Sequence, residues 1–354
     1  MILYVLRYWP TLTETFVHDE IAAIAARAPV AIAAFDPRGD PYVAPAPAPV
    51  HARPHRWGWL RALPSLLREW LRAPAIVPPR VLWLTTVVRR ARRVHVHFAG
   101  EAAVWARLAC RRAGVPYGVT VHAVDLWKPH AALADVLRDA ALVVTISEHN
   151  RAVLRDRYDV DAVVVRCGVD LARFAAPPAP ASPPVVLSVG RWVPKKGLDT
   201  LAAAAAILDR PATVVLYSDA PALPGVEVRG LRPRAEVAAA LATATVFVLP
   251  CRRAPDGDQD GVPVVLLEAM AAGLPVVTTA VSGIPEIVDE AVGWVVPPDD
   301  PAALAAAIRA ALDDPAEARR RGAAGHARLY ERGCIATDTH AAMARLLGAD
   351  VTSL

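Results

Sequence analysis

Short apolar runs alternate with helical patterns along the whole chain. The runs are rich in Val, Ile and Leu, as in strands that a parallel sheet buries on both faces, and the segments between them carry apolar residues at helical spacing. In the first half, strands are predicted at Ile2–Leu6, Val30–Ala34, Val94–Phe98, Tyr117–Val121, Leu142–Ile146 and Val163–Arg166. In the second half, they are predicted at Val185–Val189, Thr213–Tyr217, Val246–Leu249, Val276–Thr278 and Gly293–Val296. This alternation predicts an α/β protein made of βαβ units.

A proline-rich segment separates the two halves. Residues 175–184 contain five prolines, which cannot donate to a β-ladder or sit inside a helix, so we interpret them as a semi-rigid linker. We therefore predict an N-terminal domain at 1–174 and a C-terminal domain at 185–330. A helix within 331–354 is expected to pack back toward the N-terminal domain. At 354 residues, the chain is long enough for two cores.

Composition favours a folded protein of a reducing compartment. Apolar residues make up 55% of the chain, and four widely scattered cysteines suit reduced thiols better than a disulfide framework. The first residues read as a strand rather than as a signal peptide, and no uncharged stretch is long enough for a transmembrane helix. We expect a cytoplasmic protein, with a peripheral position on the inner face of the cell membrane as an option.

Positive charge is concentrated in one segment. Residues 51–93 hold ten arginines and one acid, Glu69, in a chain whose net charge is only +4. Between Trp57 and Arg72, apolar and arginine side chains recur on different faces of a predicted helix. One interpretation is a helical layer with a solvated arginine face. The other is that residues 57–93 lie on an anionic membrane surface; nucleic acid is disfavoured, because no RNA-stacking or helix-turn-helix module appears.

Two segments of the second half carry candidate chemistry. In the first, a strand ends at Gly190, Arg191 follows at once, and Lys196 comes just before a predicted helix, so backbone amides and two cations could converge on a phosphate pair. In the second, Asp260 and Glu268 bracket the start of a predicted helix, with Glu268 roughly 7 Å along the helix axis. The helix start between these carboxylates would suit a phosphate. Solvated surface charges are the alternative for both segments.

Taken in order, these segments resemble glycosyltransferase family 4, a large group of retaining enzymes. The matching pieces of the second half are Gly190-Arg191…Lys196-Gly197, Val246–Pro250, Asp260-x7-Glu268-Ala-Met-Ala-Ala-Gly-Leu-Pro and Ser282-Gly283-Ile-Pro-Glu286. Those of the first half are Trp9–Val17, His95-Val-His97-Phe, Thr120-Val-His122-Ala-Val-Asp125, Ile146-Ser147-Glu and Cys167-Gly168-Val-Asp170, and they resemble an exopolysaccharide branch of the family. The resemblance implies a GT-B fold, in which two Rossmann-like domains with parallel sheets face each other across a cleft.

The resemblance also implies residue roles. Arg191 and Lys196, with the amide of Gly190, would neutralise the diphosphate of a nucleotide-sugar donor. No metal site is identified and no cofactor is expected, because the cations would do the neutralising; UDP- or GDP-sugars are the candidate donors. The acceptor would be a saccharide or a polyprenyl-linked saccharide, and the family is thought to retain anomeric configuration by front-face attack.

The remaining implied roles concern the sugar and the ribose. Glu268 would bind the ribose hydroxyls, Asp260 with the amides of Gly261 and Val262 would hold the transferred sugar, and His122 would reach that sugar from the first domain. Asp260 replaces the glutamate that is usual in the family, so its carboxylate is one methylene shorter. In the family, a helix usually follows the strand that corresponds to Thr213–Tyr217. In this chain, we expect that helix to be largely missing.

Weaker candidates for the cleft lie in the first half. Thr13 and Glu14 follow the first predicted strand, at the edge where open α/β sheets bind ligands. Thr11 and Glu14 also have capping-box spacing. His95 and His97 are expected on opposite faces of their strand, with His97 the better candidate for the cleft, and Asp125 is a possible acceptor residue.

Three other functions remain to be weighed. A nucleotide-sugar epimerase would not show this arrangement of Arg191, Lys196 and Glu268. A nicotinamide-dependent oxidoreductase would need a glycine-rich turn after the first strand, and the sequence from Arg7 to Leu12 has no glycine. The serious alternative is a weak or inactive nucleotide-sugar-binding subunit of a membrane-associated polysaccharide assembly.

Overall fold

The chain forms two compact units. The computed structural model describes residues 1–10, 14–37, 45–54, 58–72, 77–174 and 181–349, and at 58–61 and 72 it describes the backbone alone. Contacts assign 1–146, 150–165 and the residues from 340 onward to an N-terminal unit, and 147–149 and 166–339 to a C-terminal unit. Residues 175–180 of the predicted linker, together with 350–354, lie outside the described residues.

In the N-terminal unit, the described strands form a seven-stranded parallel sheet. They are β1 (Ile2–Trp9), β2 (Val30–Pro37), β3 (Val50–Ala52), β4 (Arg93–His97), β5 (Tyr117–Val121), β6 (Leu142–Thr145) and β7 (Val163–Val164). Their order is β3-β2-β1-β4-β5-β6-β7. The helices here are α1 (Thr15–Ala25), α2 (Gly58–Arg72), α3 (Pro79–Val88), α4 (Glu101–Ala113), α5 (Ala123–Trp127), α6 (Leu133–Asp139) and α7 (Glu148–Tyr158), whose first two residues are assigned to the C-terminal unit.

In the C-terminal unit, the described strands form a six-stranded parallel sheet. They are β8 (Val185–Val189), β9 (Thr213–Tyr217), β10 (Glu227–Val228), β11 (Val246–Leu249), β12 (Val276–Thr279) and β13 (Gly293–Val296). Their order is β10-β9-β8-β11-β12-β13. The helices are α8 (Leu198–Ala206), α9 (Arg234–Thr243), α10 (Val264–Ala271), α11 (Pro301–Asp313), α12 (Pro315–Glu331) and α13 (Ala336–Leu347), which continues into the residues of the N-terminal unit.

All the predicted strands are confirmed, and two further strands form. Both additional strands, β3 and β10, lie at a sheet edge and are only three and two residues long. Neither strand lies in an apolar run such as Val163–Val165, which marked the equally short edge strand β7. The expected loss of a helix after β9 is also confirmed, because β10 and turns occupy the fully described segment before α9.

Alternation along β1 shows how the N-terminal sheet is covered. Leu3 and Val5 pack into a core on one face, and Ile2 and Tyr4 pack on the other face into a second core that contains Ile21 of α1. Successive side chains of a strand point to opposite faces, so a strand buried on both faces reads as a continuous apolar run. This arrangement is the α/β fold with helices on both sides of the sheet that the sequence predicted.

The candidate site residues follow the carboxyl ends of central strands. His122 directly follows β5, Gly190 and Arg191 directly follow β8, and Asp260 lies in the loop between β11 and α10. Open parallel sheets bind ligands at this edge, because the loops there connect to the starts of the next helices. The fold therefore brings residues that are distant in sequence to one edge of each sheet.

Candidate functional site

A largely buried charge cluster lies in the loops after β8 and β11. The Lys196 ammonium is 2.7 Å from Asp260 Oδ2, and the Lys195 ammonium lies 3.5 Å from Asp260 and 3.2 Å from Asp258. Burial lowers the pKa of Lys196, but the charge and hydrogen bond of Asp260, together with the nearby Cys251, outweigh burial and raise that pKa above its usual value. Burial raises the pKa of Asp260, but the two lysines lower it overall. Both groups are therefore ionised at neutral pH.

Glycine permits the close approach that forms this cluster. Gly197 has φ of +60°, and a Cβ at this position would lie 2.0 Å from the carbonyl oxygen of Pro250, so only glycine fits. The turn from Pro194 to Lys196 thus packs against the end of β11. A Cβ on Gly190 would stand 3.6 Å from the Lys196 side chain, so the aliphatic part of Lys196 passes over Gly190.

Arg191 supplies an exposed cation beside this cluster. Its positive charge acts on Lys196 and opposes the protonation of that side chain. Within the part of the chain that the structure describes, no carboxylate forms an ion pair with Arg191, whereas Lys196 is paired with Asp260. Among the described residues, the backbone N–H groups of Gly261 and Val262 likewise have no protein acceptor.

Glu268 lies on the second turn of α10 and is buried beside an arginine that sequence reasoning missed. The Nε of Arg234 is 3.3 Å from Glu268 Oε1. Helix α10 starts after Pro263 and stops at Gly273, whose φ is +71°, so the predicted bounds of this helix are confirmed to within one residue. The only sequence signal for Arg234 was its place at the start of α9, which does not distinguish it from a surface residue.

A second buried cluster lies in the N-terminal unit. Glu20 Oε1 is 3.0 Å from His97 Nε2, and His97 Nδ1 is 3.3 Å from His122 Nε2. Tyr4 donates to Glu20 at 2.9 Å. The structure thus brings the two predicted histidines, His97 and His122, into direct contact.

Sequence reasoning missed Glu20, although a signal was present. Glu20 falls in the apolar stripe of α1, between the buried residues Val17, Ile21 and Ile24. Acids at core positions of an amphipathic helix are rare unless they are paired, so the position of Glu20 in this stripe indicates a buried, paired carboxylate.

The prediction that His95 and His97 face opposite sides of their strand was wrong. Both side chains are buried, and their ring centroids are 5.3 Å apart. Residues two apart in a strand share a face, because side chains alternate with a period of two. His95 contacts Thr120 Oγ1 at 2.9 Å, and its Nδ1 has no hydrogen-bond partner among the described residues.

The remaining candidates of the first half have mainly local contacts. Asp125 is buried at the start of α5 and accepts a hydrogen bond from the backbone N–H of His122 at 2.8 Å. Burial raises the pKa of Asp125 to about 7, against the opposing effect of that hydrogen bond. Helix α1 begins at Thr15 with Glu14 as its N-cap, so the predicted capping box, which requires Glu14 in the third helical position, does not form. Thr13 lies outside the described residues.

The acidic loop before α10 also takes part in the charge cluster. The carboxylate of Asp258 pairs with buried Lys195. Among the described residues, the group with metal-ligating potential is Glu20, His95 and His97, whose ligand atoms all lie within 4.8 Å of one another.

Helix α2 presents an unusual surface. Leu63, Leu67, Trp70 and Leu71, which share one face, are between 42% and 61% exposed. The helix is held instead by buried Leu66 and by Glu69, whose carboxylate accepts two hydrogen bonds from Arg89 at 2.7 and 2.8 Å. Trp57 lies outside the described residues, as does the segment 73–76.

Comparison with solved structures identifies the class of the fold. The UDP- and glucose-bound structure of Alr3699/HepE from Anabaena superposes with a TM-score of 0.77 over 99% of this chain and 100% of that chain, at 18% identity. Its fold is that of the GT-B glycosyltransferases, and the present chain has the same fold: two α/β units, each with a parallel sheet.

Sequence relatives define the family. Residues 13–173 match the model of Glycosyltransferase Family 4, and residues 183–314 match that of Glycosyl transferases group 1. The alpha-maltose-1-phosphate synthase of Mycolicibacterium smegmatis is 30% identical over 292 residues, 67% of this chain and 73% of that protein. The chain belongs to the group 1, family 4 glycosyltransferases, as the motifs predicted.

Another relative has a higher identity over a shorter length. The putative colanic acid biosynthesis glycosyltransferase WcaL of Escherichia coli (strain K12) is 40% identical over 166 residues. That alignment covers 42% of this chain and 41% of WcaL, so the chain matches about two-fifths of that protein.

Proposed function

We propose that the protein is a retaining glycosyltransferase that moves a sugar from a UDP- or GDP-sugar to a saccharide or polyprenyl-linked acceptor. The family membership supports the reaction class. The name of WcaL supports a role in cell-surface polysaccharide or glycolipid synthesis, and the UDP and glucose bound to HepE support a nucleotide-sugar donor.

The observation that carries this proposal is the exposed guanidinium of Arg191, with which no carboxylate of the described residues forms an ion pair, beside the Lys196–Asp260 pair. Sugar transfer makes the nucleoside diphosphate leave with growing negative charge, and fixed cations aimed at that charge lower the barrier. Arg191 is available for a phosphate, and Lys196 is charged at neutral pH. With two such cations in place, we propose that the reaction needs no metal ion.

The two carboxylates would serve the sugar and the ribose. Glu268 is held by Arg234 and can accept from two ribose hydroxyls, while the amides of Gly261 and Val262 can donate to the sugar or its phosphate. Asp260 would bind the transferred sugar after its lysines turn toward the diphosphate. His122 would contribute a contact to the same sugar from the N-terminal unit.

One observation favours the inactive-subunit alternative. The Asp260 carboxylate is already engaged by both lysines and by the Cys251 thiol at 3.6 Å. If those contacts persisted with donor bound, Asp260 could not hold the sugar, and the protein would bind nucleotide sugars without transferring them.

Ligand binding and turnover separate these possibilities. A thermal-shift screen with UDP, GDP, ADP and their sugars should show an increase in Tm for one nucleoside, because ligands stabilise the state that binds them. Lys196→Ala should lower kcat/KM by about 10²- to 10³-fold, and Glu268→Ala should lower it by at least about tenfold, with the product anomer assigned by NMR. Lys128→Ala, which changes an exposed lysine elsewhere, is the control.

Each outcome has a definite meaning. Near-normal turnover by Lys196→Ala and Glu268→Ala would refute the site assignment. Binding of a nucleotide sugar without transfer to any polyprenyl-linked saccharide would favour the inactive subunit. A product of inverted configuration would refute the retaining mechanism.

We also propose that α2 places the protein on an anionic lipid surface at the cytoplasmic face of the membrane. The exposed apolar face of α2 includes Trp70, and arginines are concentrated in residues 51–93. Such a helix can bury its apolar face at headgroup depth while arginines contact lipid phosphates. This position would suit a lipid-linked acceptor. No helix among the described residues has the length and apolar character needed to cross a membrane.

A further inference from the structure

Two lysines share the Asp260 carboxylate, but they are bound differently. The Lys196 ammonium is 2.7 Å from Asp260 Oδ2, and the Lys195 ammonium is 3.5 Å from Oδ1. Lys195 is also 3.2 Å from Asp258, so it bridges two carboxylates. Within the part of the chain that the structure describes, Asp260 is the single carboxylate paired with Lys196. Each oxygen of Asp260 therefore faces its own lysine, and only one of these lysines has a second acidic partner.

Lys195 is held at its backbone as well as at its ammonium. The backbone N–H of Arg252 donates to the carbonyl oxygen of Lys195 at 2.9 Å, and the Arg252 side chain donates to the carbonyl oxygen of Pro194 at 2.7 Å. The same guanidinium is paired with Asp199 and Asp299. The Lys195 side chain is only 10% exposed. The loop after β11 thus fixes the turn that carries Lys195.

Asp258, the second partner of Lys195, is fixed by its own loop. Its backbone N–H donates to the Asp256 carboxylate at 3.1 Å, and its carbonyl oxygen accepts from the N–H of Ala254 at 2.8 Å. The turn between them passes through Gly257, whose φ is +84°. Moving Lys195 away would leave the largely buried Asp258 carboxylate without this ammonium, which is strongly unfavourable. Lys195 therefore stays where it is when a ligand binds.

Lys196 is the lysine that can turn toward a diphosphate. The positive charge of Arg191 opposes the protonation of Lys196, so the two cations repel each other in the absence of an anion. A diphosphate bound by both cations removes that repulsion. The aliphatic part of Lys196 passes over Gly190, which has no side chain to obstruct its movement. The proposed function, in which lysines turn from Asp260 to the diphosphate, is thereby narrowed to a movement of Lys196 alone.

Asp260 keeps two contacts once Lys196 has moved. Lys195 remains at Oδ1, and the Cys251 thiol lies 3.6 Å from Oδ2. Burial, together with the charge of Asp260, raises the pKa of that thiol, so it stays protonated at neutral pH and can donate to Oδ2. A carboxylate oxygen has two lone pairs, so Oδ2 can accept one further hydrogen bond in the place that Lys196 has left.

We propose that Lys195 is a positioning residue, which holds Asp260 Oδ1 while Lys196 leaves Oδ2 for the diphosphate, so that Oδ2 can accept a hydrogen bond from a hydroxyl of the donor sugar. This inference rests on the proposed function for the identity of the ligand. Lys195 does not contact the substrate in this arrangement. Only the contact between Lys196 and Asp260 has to be exchanged for the sugar to bind, and Asp260 remains charged and oriented throughout.

The small number of lysines makes the exchange directly observable. The chain contains three, Lys128, Lys195 and Lys196, so NMR of the full-length protein labelled at lysine Cε and Nζ gives one signal for each. The probes are UDP with UDP-glucose, and GDP with GDP-mannose. The pair that binds should shift the Lys196 signal strongly and the Lys195 signal little. Lys128→Met, at an exposed lysine of the N-terminal unit, assigns the third signal and should leave the other two unchanged.

Binding by variants supplies a second and independent readout. Lys195→Met keeps the length of the side chain but removes the ammonium, so calorimetry should show the affinity for the nucleotide sugar reduced by about tenfold. The affinity for the nucleoside diphosphate should stay close to that of the wild type, because Arg191 and Lys196 remain. The double variant Lys195→Met/Asp258→Asn also removes the carboxylate that Lys195→Met leaves unpaired, and it should show the same selective loss. Lys128→Met should bind both ligands like the wild type.

A lysine that only stabilised the fold would lower the affinity for both ligands alike, and that result in the double variant would overturn the inference. So would unaltered binding of the nucleotide sugar, or a Lys195 signal that shifts as far as the Lys196 signal. A Lys196 signal that none of the four probes moves would overturn it as well. Selective loss of sugar affinity in a protein that transfers no sugar to any acceptor would refute the proposed function and leave the role of Lys195 in sugar binding intact.

Discussion

Lys196 is an ammonium held largely out of water, and its state depends on the carboxylate beside it. Without Asp260, burial would lower the pKa of Lys196. The ion pair therefore keeps the Lys196 side chain protonated in the loop after β8. The reverse holds for Asp260, which the lysines keep ionised. The Asp260 side chain thus reaches both lysines.

Arg234 offers a test of how Glu268 is held. Replacing it with methionine keeps most of the apolar length but removes the guanidinium that contacts Glu268 at 3.3 Å. We expect the KM for the nucleotide sugar to rise by about tenfold with kcat nearly unchanged, since a residue that orients the ribose contact affects ground state and transition state alike. Steady-state kinetics against donor concentration would measure the effect.

Arg232→Met is the matched control, because Arg232 is a neighbouring arginine whose partner, Glu236, is exposed. Its kinetics should equal those of the wild type. A fall in kcat at unchanged KM for Arg234→Met would contradict the role assigned to this arginine.

Helix α2 shows how an element can be amphipathic in sequence and yet expose its apolar face. The buried face of α2 carries Leu66 and Glu69, and Arg89 and Arg112 hold that glutamate on the body of the unit. Leu67 and Trp70 consequently face outward. Helical spacing revealed the apolar stripe, but it could not tell which side of the helix the protein would cover.

The lipid proposal makes a prediction at this element. Leu67→Glu should reduce co-sedimentation with phosphatidylglycerol-containing vesicles by about tenfold, because it sets a charge against the acyl region and lowers the net positive charge nearby. Binding of the wild type should weaken with added salt. Leu231→Glu, at a similarly exposed leucine of the C-terminal unit, should bind like the wild type. Equal binding of the wild type to phosphatidylcholine vesicles would count against the proposal.

At the scale of the whole molecule, the two units differ in the ionisable groups they bury. The N-terminal unit buries His95 and His122 with lowered pKa values, about 3 for His95, mainly because of burial and the charge of His97. In the C-terminal unit, the largely buried pair of Lys196 and Asp260 has pKa values displaced away from neutrality. The two units should therefore respond differently to acid.

We predict that the N-terminal unit loses stability first on acidification. His95 and His122 bind protons in the unfolded chain below about pH 6.5 but resist them when folded, so their contribution is complete above that pH and declines as pH falls toward 3. Asp125, with its pKa raised to about 7, opposes this trend between about pH 4 and 7, because its protonation stabilises the folded unit. The effect of this one carboxyl group is smaller than the combined effect of the two histidines. The C-terminal unit should keep its folding stability until Asp260 becomes protonated below about pH 4.

Hydrogen exchange measured by mass spectrometry, corrected for the pH dependence of intrinsic exchange, would follow both units separately. His95→Gln should remove about 1 kcal/mol per pH unit from the acid dependence of the N-terminal unit. His130→Gln, at an exposed position, should not. Simultaneous loss of protection in both units near pH 5 would contradict the prediction.

The fold could be predicted almost entirely from the sequence, and so could the two segments of the C-terminal unit that carry the candidate site. Gly190, Arg191, Lys196 and Glu268 stand beside turn and helix signals that have local physical causes, and the C-terminal unit brings Lys196 onto Gly190 as those signals suggested. Arg234 was not predictable, because its partner is 34 residues away and no pattern within α9 marks it. The role of His122 in transfer stays a prediction.

What the sequence determined by itself is the set of buried strands, the start and stop of α10 and the family, since apolar periodicity, proline and glycine act over a few residues. What only the tertiary structure decided is which polar groups meet. Glu20, His97 and His122 lie on α1, β4 and the end of β5, and parallel sheet pairing places them side by side. Contacts of this kind depend on strand order and helix rotation, which are set by the packing of the whole unit, so a one-dimensional pattern does not contain them.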